Sequence, residues 1–97
     1  MINLKMYING EWVDAQSKKT REILNPATGE VIALSAEGDV EDARHAIQIA
    51  RDAFDSGIWS ELPAAERARY LLAIADKLEE RAEEIGRLET LDNGKPL

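Results

Sequence analysis

From Pro63 to Leu91 the chain reads PAAERARYLLAIADKLEERAEEIGRLETL, strong helix formers interrupted after Pro63 by a single glycine, Gly86. Leu71, Ile74, Ala75, Leu78, Ala82, Ile85 and Leu88 recur along it at intervals of three and four, the mark of one apolar stripe. The spacing predicts one long helix over 61–91, with Glu83 and Arg87 one turn apart on its polar side. Pro63 suits a first helical position, but Leu62 before it has no side-chain acceptor for the orphan amides, so Ser60 is the expected N-cap. At 1.5 Å per residue the stretch from Pro63 to Leu91 would be about 43 Å long, whereas a compact chain of this size has a radius of gyration of about 13 Å. The rest of a 97-residue chain is too small to cover such a stripe, so part of it must face something else.

A second helix is predicted over 39–56. Asp39 is its N-cap, Glu41 and Asp42 complement the dipole in the first turn, and Gly57 stops it. Val40, Ala43, Ile47, Ala50 and Phe54 form its expected buried stripe. Before it, residues 1–36 read as two short antiparallel β-hairpins. Asn9-Gly10 lies between the strand-forming flanks Tyr7-Ile8 and Glu11-Trp12-Val13, the composition of a type I′ turn. A second pair, Thr20–Leu24 with Val31–Ser35, closes around Asn-Pro-Ala-Thr-Gly-Glu, where Pro26 presets φ and Gly29 can take the left-handed position. The fold class is therefore α+β, two short hairpins followed by two amphipathic helices in one unit, 1–97.

Composition removes several kinds of chemistry. The chain has no cysteine, so it offers no disulfide, thiolate ligand or thiol nucleophile. The net charge of −7 lies wholly in residues 37–97, where eight basic side chains meet fifteen acidic ones. Such a surface repels phosphate backbones, which argues against nucleic-acid and anionic-membrane partners. No apolar run approaches a membrane span or a signal-peptide core, and a cytoplasmic location is the expectation.

His45, the one histidine, is predicted on the polar side of the first helix among Arg44, Gln48 and Asp52, and reads as a solvated side chain. Glu79, Glu80, Glu83 and Glu84 form a solvated helix face rather than a convergent acid–base pair. The glycines are dispersed, without a phosphate-cradling pattern. No catalytic or cofactor-binding residue is assigned. Asp92, where the helix ends and Asn-Gly-Lys-Pro fixes the chain direction, reads first as a turn residue.

Four stretches in order, YINGEWVDA, NPATGEVIALSAEGDVEDA, AFDSGIWSELPAAERARYLLAIADKLEERAEEI and LETLDNGKPL, resemble the N-terminal segment of the NAD(P)-dependent aldehyde dehydrogenase superfamily. Each is modest alone, but their ordered combination is specific and covers the chain from Tyr7 onward. One departure is Leu62, where many relatives have Ser or Asp before the proline. The resemblance implies that 1–97 is the opening part of an α/β cofactor-binding domain, and that Leu97 is an internal point of a longer chain. It further implies an enzyme, a homodimer or homotetramer, that oxidises an aldehyde to a carboxylic acid with NAD or NADP. In that chemistry a cysteine forms a thiohemiacetal and then a thioester, which water hydrolyses. That cysteine lies outside this chain, which alone is expected to be inactive. A monovalent cation site, for Na+ or K+, is implied at the backbone carbonyls of Ile23 and Leu24 and the carboxylate of Asp92, a set of hard oxygen ligands. The competing reading is a free-standing acidic helical module that binds another protein through its stripes.

Overall fold

The computed structural model describes residues 2–97. Five strands come first, β1 (Ile2–Leu4), β2 (Met6–Ile8), β3 (Glu11–Val13), β4 (Thr20–Leu24) and β5 (Val31–Ala36). Three helices follow, α1 (Val40–Ser56), α2 (Ala64–Glu80) and α3 (Ala82–Asn93).

The first hairpin forms where Asn9-Gly10 predicts it. Asn9 and Gly10 have φ of 55° and 76°, both positive as a type I′ turn requires. β2 and β3 pair antiparallel, with Tyr7 opposite Trp12 and their rings 4.8 Å apart, an aromatic cross-strand pair. β4 and β5 form the second hairpin, with Ile23 opposite Ala33. β1 is an addition to the expected strands: it pairs parallel with β5, Asn3 opposite Leu34, to give a three-stranded sheet of order β1-β5-β4. A three-residue segment whose partner lies some thirty positions away leaves no local periodicity to read. Ala33, on the central strand, is 4% exposed.

α1 begins and ends as predicted. Asp39 accepts the Glu41 amide, Asp42 accepts the Asp39 amide to complete a capping box, and Gly57 closes the helix at φ 73°. The face it turns inward is not the expected one. Asp42, Ala46 and Ile49 are buried or half-buried, while Val40, Ile47 and Phe54 are 61%, 69% and 63% exposed. The reason lies in Asp42: its bond to the Gln16 amide fixes the rotation of α1 about its axis and leaves the Val40–Phe54 stripe on the opposite side.

The long helix is divided. α2 and α3 meet at Arg81, whose φ of −109° and ψ of 15° depart from helical values. The Arg81 guanidinium holds both Glu84 carboxylate oxygens, at 2.9 and 2.8 Å, on the α3 side of the bend. Ser60 is not the N-cap of α2. Pro63 is, with φ −56°, ψ 146° and no side-chain cap bond. Ser60 instead donates its hydroxyl to the Phe54 carbonyl at 3.4 Å, which also accepts the Gly57 amide at the end of α1.

Strands pair with strands, and the helices meet the rest of the chain only sparsely. The radius of gyration is 17.1 Å and the extents are 48 × 35 × 16 Å, well beyond the about 13 Å of a compact chain of this length. The accessible surface is 7899 Å², against about 5,500 Å² for a compact protein of the same mass. No large side chain is fully buried among the described residues. Packed cores normally supply most of the stabilisation, and here that contribution is small.

Candidate functional site

Two corners of the chain meet at one groove. The first is the turn between β4 and β5, organised by Asn25. Its side-chain oxygen accepts the Ala27 amide at 2.9 Å, its carbonyl accepts the Gly29 amide at 2.7 Å, and its own amide donates to the Glu30 carbonyl at 2.8 Å. This is the Asx-turn chemistry that makes Asn-Pro a turn starter. Just before it, the ladder shifts register between Ile23 and Leu24, because Leu24 pairs with Val31 and skips Ile32. A bulge of this kind interrupts regular pairing and leaves backbone polar groups available.

The second corner is the end of α3. Gly94 takes the left-handed conformation at φ 81° and donates its amide to the Thr90 carbonyl, the usual way of stopping a helix. The Asn93 side chain then accepts the Lys95 amide at 2.9 Å, and the Lys95 ammonium reaches Glu89 at 3.2 Å. A Cβ on Gly94 would stand 3.4 Å from Cγ of Pro26, so the two corners touch. Between them lies a groove of about 380 Å³ lined by Asn25, Ala27, Arg87, Leu88, Leu91 and Gly94 among others.

Of the residues expected to hold a cation, Ile23 is half-buried within β4, Leu24 is exposed at the strand's end, and Asp92 is exposed on the last turn of α3. Among the described residues, the Asp92 carboxylate takes no hydrogen bond or ion pair, whereas its neighbours Asn93 and Glu89 do. Carbonyl and carboxylate oxygens are the ligand type a hard monovalent cation takes, but Ile23, Leu24 and Asp92 are not among the residues that line the groove between the two corners. No three His, Cys, Asp or Glu side chains converge among the described residues.

The chain matches the profile of the aldehyde dehydrogenase family over residues 12–97. The chain belongs to the aldehyde dehydrogenase family. It is 53% identical over 92 residues to aldehyde dehydrogenase family 2 member B4, mitochondrial, of Arabidopsis thaliana. That match covers 95% of this chain and 17% of the relative. Against the mitochondrial aldehyde dehydrogenase of Sus scrofa the identity is 50%, over 95% of this chain and 18% of the relative. In structure it is similar to betaine aldehyde dehydrogenase from Staphylococcus aureus in complex with NAD+, with a TM-score of 0.94 and 50% identity. That superposition covers 97% of this chain and 19% of the bacterial enzyme. The chain corresponds to the N-terminal portion of an aldehyde dehydrogenase and spans less than a fifth of these relatives' length.

The family's cofactor finds no cradle among these residues. Gly10, Gly29, Gly57 and Gly94 take positive φ in turns and helix caps rather than in a loop opening a helix toward a pyrophosphate. No step through a nicotinamide is therefore assigned to this chain.

The remaining polar side chains are solvated, as their spacing predicts. His45 is exposed on α1. Three glutamates of α2 and α3 form exposed ion pairs, Lys77 with Glu80, Arg81 with Glu84 and Arg87 with Glu83. The Arg81 hydrogen bond, then its charge, holds the Glu84 carboxyl below the ordinary range. No helix is long and apolar enough to cross a membrane among the described residues.

Sequence reasoning missed the joint at Asp42. Only 6% exposed, it accepts the Gln16 and Asp39 amides, each at 3.0 Å. It thereby ties the loop after β3 to the start of α1. A Cβ at Gly38 would lie 3.1 Å from Sδ of Met6 and 3.7 Å from Cβ of Asp42, so the first hairpin closes against the same point. The Asp39-x-x-Asp42 spacing of a capping box was the available signal.

Proposed function

We propose that the chain serves as the N-terminal portion of an NAD-linked aldehyde dehydrogenase that oxidises an aldehyde to a carboxylic acid. The observation that carries this reading is the 0.94 TM-score over 97% of the chain against an enzyme holding NAD+. The share of this chain is structural: it orders the β4–β5 turn against the end of α3 and presents its helices to the remainder of the enzyme. NAD, the dinucleotide in the bacterial neighbour, is favoured over NADP. A homodimer or homotetramer and a cytoplasmic location belong to the same proposal and rest on the sequence reading.

On this reading the carbonyls of Ile23 and Leu24, at the end of β4, and the Asp92 carboxylate, on the last turn of α3, hold Na+ or K+ in the intact enzyme. The bulge and the unengaged carboxylate support it.

The test is complementation. The S. aureus betaine aldehyde dehydrogenase, deleted of the segment this chain matches, is co-expressed with the chain and assayed for NADH formation with betaine aldehyde. Activity that requires both pieces is the expected result. Activity from this chain alone, or none with both pieces present as a soluble complex, contradicts the proposal.

A further inference from the structure

Four asparagines stand in the chain, Asn3, Asn9, Asn25 and Asn93. An asparagine is chemically labile where the next backbone amide can reach its side-chain carbonyl carbon, so the residue that follows it decides. Asn25 precedes Pro26, which has no N–H to attack with. Asn3 is held in the β1–β5 ladder opposite Leu34, with a leucine after it. Asn9 and Asn93 each precede a glycine, whose missing Cβ leaves the amide unhindered.

The fold separates these two Asn-Gly pairs. At Asn93 both reacting groups are engaged. Its side-chain oxygen accepts the Lys95 amide at 2.9 Å and its Nδ2 donates to Glu89 at 3.5 Å, while the Gly94 amide donates to the Thr90 carbonyl at 2.9 Å. Asn9 and Gly10 are both exposed, and nothing lies within 4 Å of a Cβ built on Gly10. Neither the Asn9 side chain nor the Gly10 amide makes a hydrogen bond among the described residues. The hairpin that carries them has two strands of three residues each. A two-stranded hairpin is marginal in water, so this turn opens readily to the geometry of attack.

We propose that Asn9 is a self-modification site, deamidating through a succinimide formed with Gly10, while the bonds around Asn93 shield it. Hydroxide takes the Gly10 amide proton, the nitrogen bonds to Cγ of Asn9, and Nδ2 leaves as ammonia. Water then opens the ring. Breaking the bond from nitrogen to Cγ gives aspartate, and breaking the bond from nitrogen to the main-chain carbonyl carbon gives isoaspartate; nothing is oxidised or reduced. Either product places a new negative charge two residues before Glu11. Isoaspartate also adds a methylene to the backbone of a two-residue loop, which ends the pairing of Ile8 with Glu11 and of Tyr7 with Trp12.

The test ages the free 97-residue chain in neutral buffer and in denaturing urea, and locates aspartate and isoaspartate by fragmentation mass spectrometry. In buffer Asn9 converts about tenfold faster than Asn93, the factor that opening the bonds at Asn93 imposes. In urea the two rates converge. Asn9→Gly, which suits a turn of positive φ, removes the fast phase of ammonia release, and Asn93→Gly leaves it in place. In the isoaspartate fraction the nuclear Overhauser contacts between the Tyr7 and Trp12 rings are lost. Equal rates in buffer, a faster Asn93, or a difference that survives urea overturns the assignment to Asn9. An Asn9 that stays intact in buffer while the urea-unfolded chain converts overturns it too, because the turn then protects. Ring contacts that persist in the isoaspartate fraction overturn the loss of pairing.

Discussion

The Asp42 carboxylate accepts the Gln16 backbone amide at 3.0 Å across twenty-six positions of sequence, and this bond sets which side of α1 faces the strands. Asp42→Ala leaves the Gln16 and Asp39 amides without their acceptor in a buried place. A cost of about 1–3 kcal/mol follows, measured by urea unfolding of the complemented enzyme. Asp42→Asn keeps one acceptor oxygen and loses less. Hydrogen exchange at Gln16 accelerates in both, and unchanged exchange there rejects the joint.

Gly94 combines a positive φ of 81° with a close approach to Pro26. Gly94→Ala meets both constraints and costs about 1–2 kcal/mol from the backbone alone. The loss is accompanied by separation of the corner from the β4–β5 turn, read as weakened nuclear Overhauser contacts between residues 26 and 94. Contacts of undiminished intensity contradict the packing described.

Asp92 is the only side chain proposed to hold the cation, so its loss has a specific signature. In the complemented enzyme, Asp92→Ala removes the rise in melting temperature that KCl or NaCl gives over an equal ionic strength of a large organic cation. A rise identical to the wild type's refutes the assignment of Ile23, Leu24 and Asp92.

Arg81 and Glu84 make the bend between α2 and α3 sensitive to acid. Because the Glu84 carboxyl titrates lower when folded, its contribution is fully present above the ordinary glutamate range. It fades as the pH falls through the lowered folded value. Carbon NMR titration of Glu84 gives a depressed midpoint that Arg81→Gln restores and added salt raises. A midpoint indifferent to Arg81→Gln speaks against the pair.

Local features are readable in the sequence because their causes are local. Asn9-Gly10 dictates a turn by its φ preferences, Asp39 and Gly57 bracket α1 by capping, and Asn25-Pro26 starts its turn through its own side chain. What stays hidden depends on distant partners. β1 exists because Asn3 finds Leu34, and the rotation of α1 depends on Gln16 finding Asp42. The bend at Arg81 lies within a run whose residues all favour continuation, so composition alone reads as one helix. At the candidate site, the meeting of Pro26 with Gly94 joins two segments whose motifs are each legible, while their contact is not. The stripe of α2 and α3 is legible as a stripe, whereas what covers it is not, and the matched relatives are more than five times as long.

The central claim is that this chain is an incomplete folding unit of a larger enzyme rather than a self-sufficient module. Scanning calorimetry of the free 97-residue chain, with its mass checked by sedimentation, tests it most directly. The expected trace is broad and shallow, lacking the cooperative peak of about 0.7 kcal/mol per residue that a packed domain gives near 60 °C. A sharp peak from a monomer, with calorimetric and van't Hoff enthalpies equal, would contradict the account.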